Sequence, residues 1–219
     1  MDFHAFTISA TKRFDNRFSF LTSYTFSKLI DNVLDFGTLS REVVDSLNIS
    51  SERGLGGIDS RSRFVFSGVW DISYTKNPFL TGFQLSSIVN LTSGKPYNLL
   101  AGVDVNRNFD NPPGDRPLQG GTSIGRNTGI TPGFANVDLR LTRIVSFKEK
   151  YKLEGYIEVF NLFNRVNIDP STVARVFLPD AQGQFNLPPK DGGRFTVTPD
   201  RFRGAFAPRQ IQFGFRLGF

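Results

Sequence analysis

The sequence predicts an all-β chain: an antiparallel transmembrane β-barrel segment of about seven long strands. Three observations predict it. Apolar and polar residues alternate over stretches of about 10–12 residues, longer than the usual soluble strand of about five or six and close to the about 9–11 of a tilted spanning strand. Short connections alternate with long ones. The last strand, IQFGFRLGF, sets Ile211, Phe213, Phe215, Leu217 and Phe219 on one face, and the chain stops on that Phe.

The elements follow in order. The first strand, residues 3–13, alternates weakly. Residues 17–28 set Phe18, Phe20, Thr22, Tyr24 and Phe26 against Ser19, Leu21, Ser23, Thr25 and Ser27. Residues 63–74 place Phe64, Phe66, Gly68, Trp70, Ile72 and Tyr74 together. Residues 82–93 set Phe83, Leu85, Val89 and Leu91 against Gln84, Ser86 and Asn90. Residues 136–146 set Val137, Leu139, Leu141 and Val145 against Asp138, Arg140 and Thr142. Residues 151–161 set Tyr151, Leu153, Ile157 and Val159 against Lys152, Glu154 and Glu158.

The connections at 14–16, 75–80 and 147–150 are short. Those after Lys28, Ser93 and Asn161 are long, about 30 to 45 residues, where a compact soluble domain rarely holds structureless loops beyond about 12–15. Short periplasmic turns and long extracellular loops are the habit of outer-membrane barrels. Lipid offers no hydrogen-bond partner, so a spanning sheet must pair its own backbone and turn an apolar face outward. The Phe-rich faces then point to lipid, with Tyr24, Trp70, Tyr74 and Tyr151 as interfacial anchors. A soluble antiparallel sheet would bury the same faces in a protein core, and periodicity alone leaves that alternative open. Seven is an odd count, whereas single-chain bacterial barrels have even strand numbers. No signal-peptide pattern opens the sequence. The expectation is a C-terminal part of a larger barrel spanning residues 1–219, with Met1 an internal methionine.

Composition narrows the function. The chain has 219 residues, a net charge of +6 and no basic run, so nucleic acid is not an expected partner. It lacks Cys and has one His, His4, which removes thiolate chemistry and most His-based catalysis or zinc binding. No cofactor is expected. Asp104, Asn106, Asn108, Asp110 and Asp115 are oxygen-rich like a calcium loop, yet they lack EF-hand spacing, and Asn, Asp and Pro also favour turns for backbone reasons. Ser40 is a candidate N-cap of a short loop helix. Gly54, Gly56 and Gly57 lack the nucleotide-binding spacing and read as loop.

Asp138, Arg140, Glu154, Glu158 and Arg216 fall on the polar faces of the last strands and form a candidate lumen-wall charge cluster. Glu154 and Glu158 imitate a glycosidase carboxylate pair. A salt-bridge ladder is the simpler reading, because an adjacent Arg compensates both carboxylates. No nucleophile and base are paired, so the chain is not expected to be an enzyme.

Several ordered pieces resemble the C-terminal part of Oar-like TonB-dependent receptors: YTFSKLIDN at 24–32, DSRSRFVFSGVWDI at 59–72, GFQLSSIVNLTSGKPYNL at 82–99, DRP at 115–117, GRNTG at 125–129, FANVDLRLTRIVSF at 134–147, EVFNLFNRVN at 158–167 and PRQIQFGFRLGF at 208–219. The resemblance covers most of the chain apart from the loop tips. It implies an outer-membrane ligand transporter: a barrel of about 22 strands around an N-terminal plug, a TonB box, and often a carboxypeptidase regulatory-like domain. None of those N-terminal parts lies in this sequence. Implied partners are membrane lipid, the remaining barrel and plug, the TonB complex, an unknown ligand, and the barrel-assembly machinery. That machinery would read Ile211, Phe213, Phe215, Leu217 and Phe219. A non-transporting, adhesin-like barrel or a non-functional fragment is the alternative.

Overall fold

A computed structural model describes residues 1–32, 43–45, 47–72, 77, 81–109, 114–147 and 151–219. Tyr74, Asp110, Ser40 and most of the 75–80 and 147–150 turns lie outside them. Seven long strands make the wall: β1 (Asp2–Asp15), β2 (Phe18–Asp31), β3 (Ser62–Asp71), β4 (Phe83–Thr92), β5 (Phe134–Phe147), β6 (Tyr151–Phe160) and β7 (Gln210–Gly218). Each pairs antiparallel with the next in chain order, so the wall is a simple meander. The sheet is open, with β1 and β7 each paired on one side among the described strands. Even β7, the shortest at 9 residues, meets the length of a tilted spanning strand, about 9–11 residues.

The register joins the separate alternations into one surface. Phe18 stands opposite Trp70, Phe66 opposite Val89, Leu85 opposite Leu141, Leu141 opposite Ile157, and Ile157 opposite Phe213. Residues directly opposite share a face. Every Phe-rich stripe therefore falls on the same side of the sheet. Phe18 and Phe20 stack at 5.6 Å and Phe20 and Phe66 at 6.2 Å across two strands. A one-residue slip in any pairing would turn that strand's apolar side inward.

The β1–β2 turn is set by its two central residues. Asn16 and Arg17 both have positive φ, at 48° and 73°, as the two-residue hairpin turn that matches strand twist requires. Lys12 braces it, donating to the Phe18 carbonyl at 3.3 Å while lying 4.2 Å from the Phe18 ring centre. Strand β5 begins at Phe134, ahead of the 136 that alternation indicates. Ala135 pairs with Leu91, and the Asn167 side chain bonds both its N–H and C=O at 2.9 Å, so the backbone stays extended there.

The buried apolar core lies outside the wall. Tyr97, Leu99, Ile124, Val173, Phe177 and Phe195 form it, all from the 93–133 and 161–209 connections. The loops are thus folded, where periodicity alone offers only unstructured stretches. The wall's outer residues stay uncovered by protein: Phe213 is 71 % exposed and Phe215 83 %. This division suits a sheet whose apolar face meets lipid.

Candidate functional site

The three long connections converge at one end of the sheet into a cap. Four short strands inside it pair Lys190–Asp191 with Arg194–Phe195, then Gly129–Ile130, then Pro96–Tyr97. The Tyr97 ring lies flat across Gly129, where a Cβ would meet ring carbons at 2.5 Å. Only glycine lets the ring approach so closely. The 93–133 and 161–209 connections are also stitched by Leu100 N–H to Arg175 C=O at 2.9 Å and Phe177 N–H to Leu100 C=O at 2.8 Å.

Buried polar contacts bind the remaining connection and the sheet to this core. Arg116 forms an ion pair with Glu52, and the two side chains are 4 % and 1 % exposed. The second Glu52 oxygen accepts from Val44 N–H at 3.1 Å. Arg126 donates to the Asp31 carboxylate at 2.5 Å and to its carbonyl at 3.1 Å, tying the 93–133 connection to the end of β2. Asn127 donates its backbone N–H to the Asn98 side chain and its amide to Leu55 C=O, both at 2.7 Å. Gly54 and Leu55 add a short strand beside Asp31 and Ile30. Asp59 accepts from Leu29 N–H at 2.6 Å. Each bond satisfies a group that would otherwise be costly to bury.

Most of these groups sit inside the stretches that carry the family resemblance. Asp31 belongs to YTFSKLIDN, Arg116 to DRP, Arg126 and Asn127 to GRNTG, and Asn161 and Asn167 to EVFNLFNRVN. Asn161 closes the turn after β6. Its N–H donates to Asp138 at 2.9 Å, and its side chain bonds both N–H and C=O of Arg165 at 3.0 and 2.9 Å. Periodicity does not find such residues, because their partners are far away in sequence.

The lumen-wall residues fall on the inner face. Arg140 stands opposite Glu158 and bridges two acids, Glu154 at 3.1 Å and Glu158 at 3.5 Å. Its guanidinium lies 3.8 Å from the centre of the Tyr156 ring. Tyr156 in turn covers Gly214 of β7, where a Cβ would meet the ring at 2.2 Å. Asp138 stands apart from Arg140 and accepts from the Asn136 side chain at 2.8 Å as well as from Asn161. Arg216 is opposite Glu154 in the register, with no ion pair among the described residues. Glu154 and Glu158 thus share one cation, Arg140.

Of the aromatic residues assigned to the interfaces, Trp70 and Tyr151 lie on the outer face at the turn end. Tyr24 lies on that face toward the cap and bonds Ser62 at 3.2 Å. The oxygen-rich loop uses its oxygens on its own backbone. Asp104 accepts from Asn108 and Phe109 N–H at 3.1 and 2.9 Å, and Asp115 from Val105 and Asn106 N–H at 2.5 and 2.9 Å. Among the described residues no group of three or more His, Asp or Glu side chains is placed to hold a metal.

Electrostatics marks Tyr97 within the cap. Burial pushes its phenol up from 10.0 to about 12, opposed in part by nearby Arg201, and its hydroxyl donates to Thr196 C=O at 3.1 Å. Between those values the unfolded chain loses the proton and the folded cap keeps it, so stability falls as pH rises. The expected loss is about 2 kcal/mol by pH 12, absent in Tyr97→Phe, which itself costs about 1 kcal/mol at neutral pH. Hydrogen exchange of cap amides in both proteins between pH 9 and 12 checks this. Parallel pH profiles would refute it.

The family model described as an outer membrane beta barrel domain matches residues 1–123 and residues 111–212. No curated protein and no solved structure matches the chain. No helix among the described residues is long and apolar enough to cross a membrane, and a barrel crosses with strands instead. With one mainly apolar face running across seven paired strands and a folded cap on one end, the chain belongs to the outer membrane beta barrel domain family and is an outer-membrane protein.

Proposed function

We propose that the chain is the C-terminal part of an Oar-like TonB-dependent receptor, binding a ligand at its capped end for uptake across the outer membrane. The observation that carries this reading is the cap itself. Its apolar core and buried ion pairs hold three long loops in one arrangement. A preorganised surface is what ligand recognition needs, since it avoids the entropy cost of ordering loops on binding. A barrel that merely displays loops to other surfaces has no need of that rigidity. The proposal assigns no catalysis and no cofactor to the chain.

The proposed partners follow. Lipid covers the Phe-rich face, and further strands with a plug complete the wall. The TonB complex acts through that plug. Mapping the reading frame and transcript upstream of Met1 tests the proposal. A continuous frame through further alternating strands and a plug supports it. A separate, plugless transcript overturns it in favour of a non-transporting barrel or remnant.

The last strand is the proposed signal for the barrel-assembly machinery. On β7, Ile211, Phe213, Phe215 and Leu217 stand exposed on one face of a strand that pairs only with β6 among the described strands. Such an edge aggregates unless it is captured. Deleting Phe219 is expected to remove most of the protein from the outer-membrane fraction, while Gln212→Ala on the opposite face leaves the level unchanged. Immunoblots of fractionated membranes read the result, and equal levels for both variants would refute the assignment.

A further inference from the structure

Where the cap meets the inner face of the sheet, it leaves a cavity of about 420 Å³, within the usual range for small-molecule sites, about 300–1,000 Å³. All three long connections contribute to it, together with the loop-side ends of β3, β4 and β5. We infer that this cavity is a binding site for a small organic anion with a ring-shaped apolar body. The inference rests on the receptor reading and names the class of ligand the receptor would take.

Its chemistry is one-sided. Arg63 and Lys95 line it, and no Asp or Glu does among the described residues. Neither cation forms an ion pair or a side-chain hydrogen bond among those residues. Arg63 is directed inward by its register opposite Thr25 and Thr92. Asp169 feels the charge of Lys95, and its carboxylate is already engaged by the Ser171 hydroxyl at 2.7 Å and N–H at 2.9 Å. Those two bonds, with a smaller contribution from Lys95, hold the Asp169 carboxyl below its ordinary value.

Part of the lining is aromatic. Phe134 and Phe206 meet edge to face at 5.5 Å and present ring surface to the cavity. Asn90 and Thr92 add neutral donors beside Arg63. Two cations that form no ion pair or side-chain hydrogen bond among the described residues share the cavity with an aromatic corner, and together they fit one anionic group joined to a ring. A guanidinium prefers the planar, two-oxygen geometry of a carboxylate or a related oxyanion. A neutral sugar or a cation would find neither feature useful.

The test is photolabelling in outer membranes from cells that make the protein from its own locus, with 4-benzoylbenzoate as the anionic probe and 4-benzoylbenzamide as its neutral match. Saturable labelling of peptides containing Phe134 or Phe206 is expected with the acid. Labelling about tenfold weaker is expected with the amide and in the Arg63→Gln/Lys95→Gln double variant, since each lost charged hydrogen bond is worth that much or more. Both replaced residues are solvent-facing, so the cap should fold normally, and heat-modified gel mobility confirms that it has. Equal labelling by acid and amide, or undiminished labelling of the double variant, overturns the site. Uptake in the same cells separates the two readings. Charge-selective labelling without energy-dependent accumulation keeps the pocket and removes the transport function. Accumulation without charge-selective labelling does the reverse.

Discussion

Arg116→Met is expected to open the cap while leaving the wall folded. The substitution strands the Glu52 carboxylate at 1 % exposure with one remaining bond among the described residues, from Val44 N–H. Removing one partner of a buried pair costs about 3–5 kcal/mol, because the other charge stays buried and uncompensated. Glu52 and Arg116 come from different connections, so losing the pair removes the buried ion pair between the 32–61 and 93–133 loops and leaves neutral bonds such as Asn127 to Leu55 C=O. The double variant Glu52→Gln/Arg116→Met should recover much of the deficit, since it removes the orphaned charge. Proteolysis of the loops on intact cells reads cap opening, and heat-modified gel mobility reads the wall. If the single variant resists protease as well as the wild type, the pair does not hold the cap. If wall and cap fail together, they form one cooperative unit.

Neighbouring residues on β3 supply the second large effect. Phe66→Lys places a charge on the lipid face, opposite Thr22 and Val89. A Lys near the bilayer midplane costs about 2–4 kcal/mol. The lost stacking with Phe20 at 6.2 Å adds about 0.5–1.5 kcal/mol. Ser67→Lys, one residue along, points inward beside Leu21 and Ile88 and is expected to stay within about 1 kcal/mol of the wild type. Urea titration of both variants in lipid vesicles gives the comparison. A larger loss for Ser67→Lys would mean that the faces are assigned backwards.

The wall was largely legible because its signal is local. An alternating stripe such as Phe18, Phe20, Tyr24 and Phe26 needs only its own strand to declare a face, and strand length declares the span. Boundaries were less legible where a distant side chain set them. Asn167 extends β5 back to Phe134, from more than thirty positions away. Arg140 and Glu158 could be brought together on paper because a short turn joins their strands. Arg216 could not be settled that way, and it stands opposite Glu154 with no ion pair among the described residues.

The cap was illegible for a physical reason. Its core gathers Leu99, Val173 and Phe195 from stretches with no period, and its latches join Asp31 to Arg126 and Glu52 to Arg116 across long separations. From sequence, such residues look like ordinary polar loop. The sequence by itself determined an antiparallel sheet of strands long enough to span a bilayer, because lipid imposes the same two demands on every strand: an apolar outer side and a length to match the bilayer. Only the tertiary structure decided that the loops fold over one end of the sheet and gather Arg63, Lys95, Phe134 and Phe206 around one cavity, because burial, charge pairing and cavity shape depend on which distant segments meet.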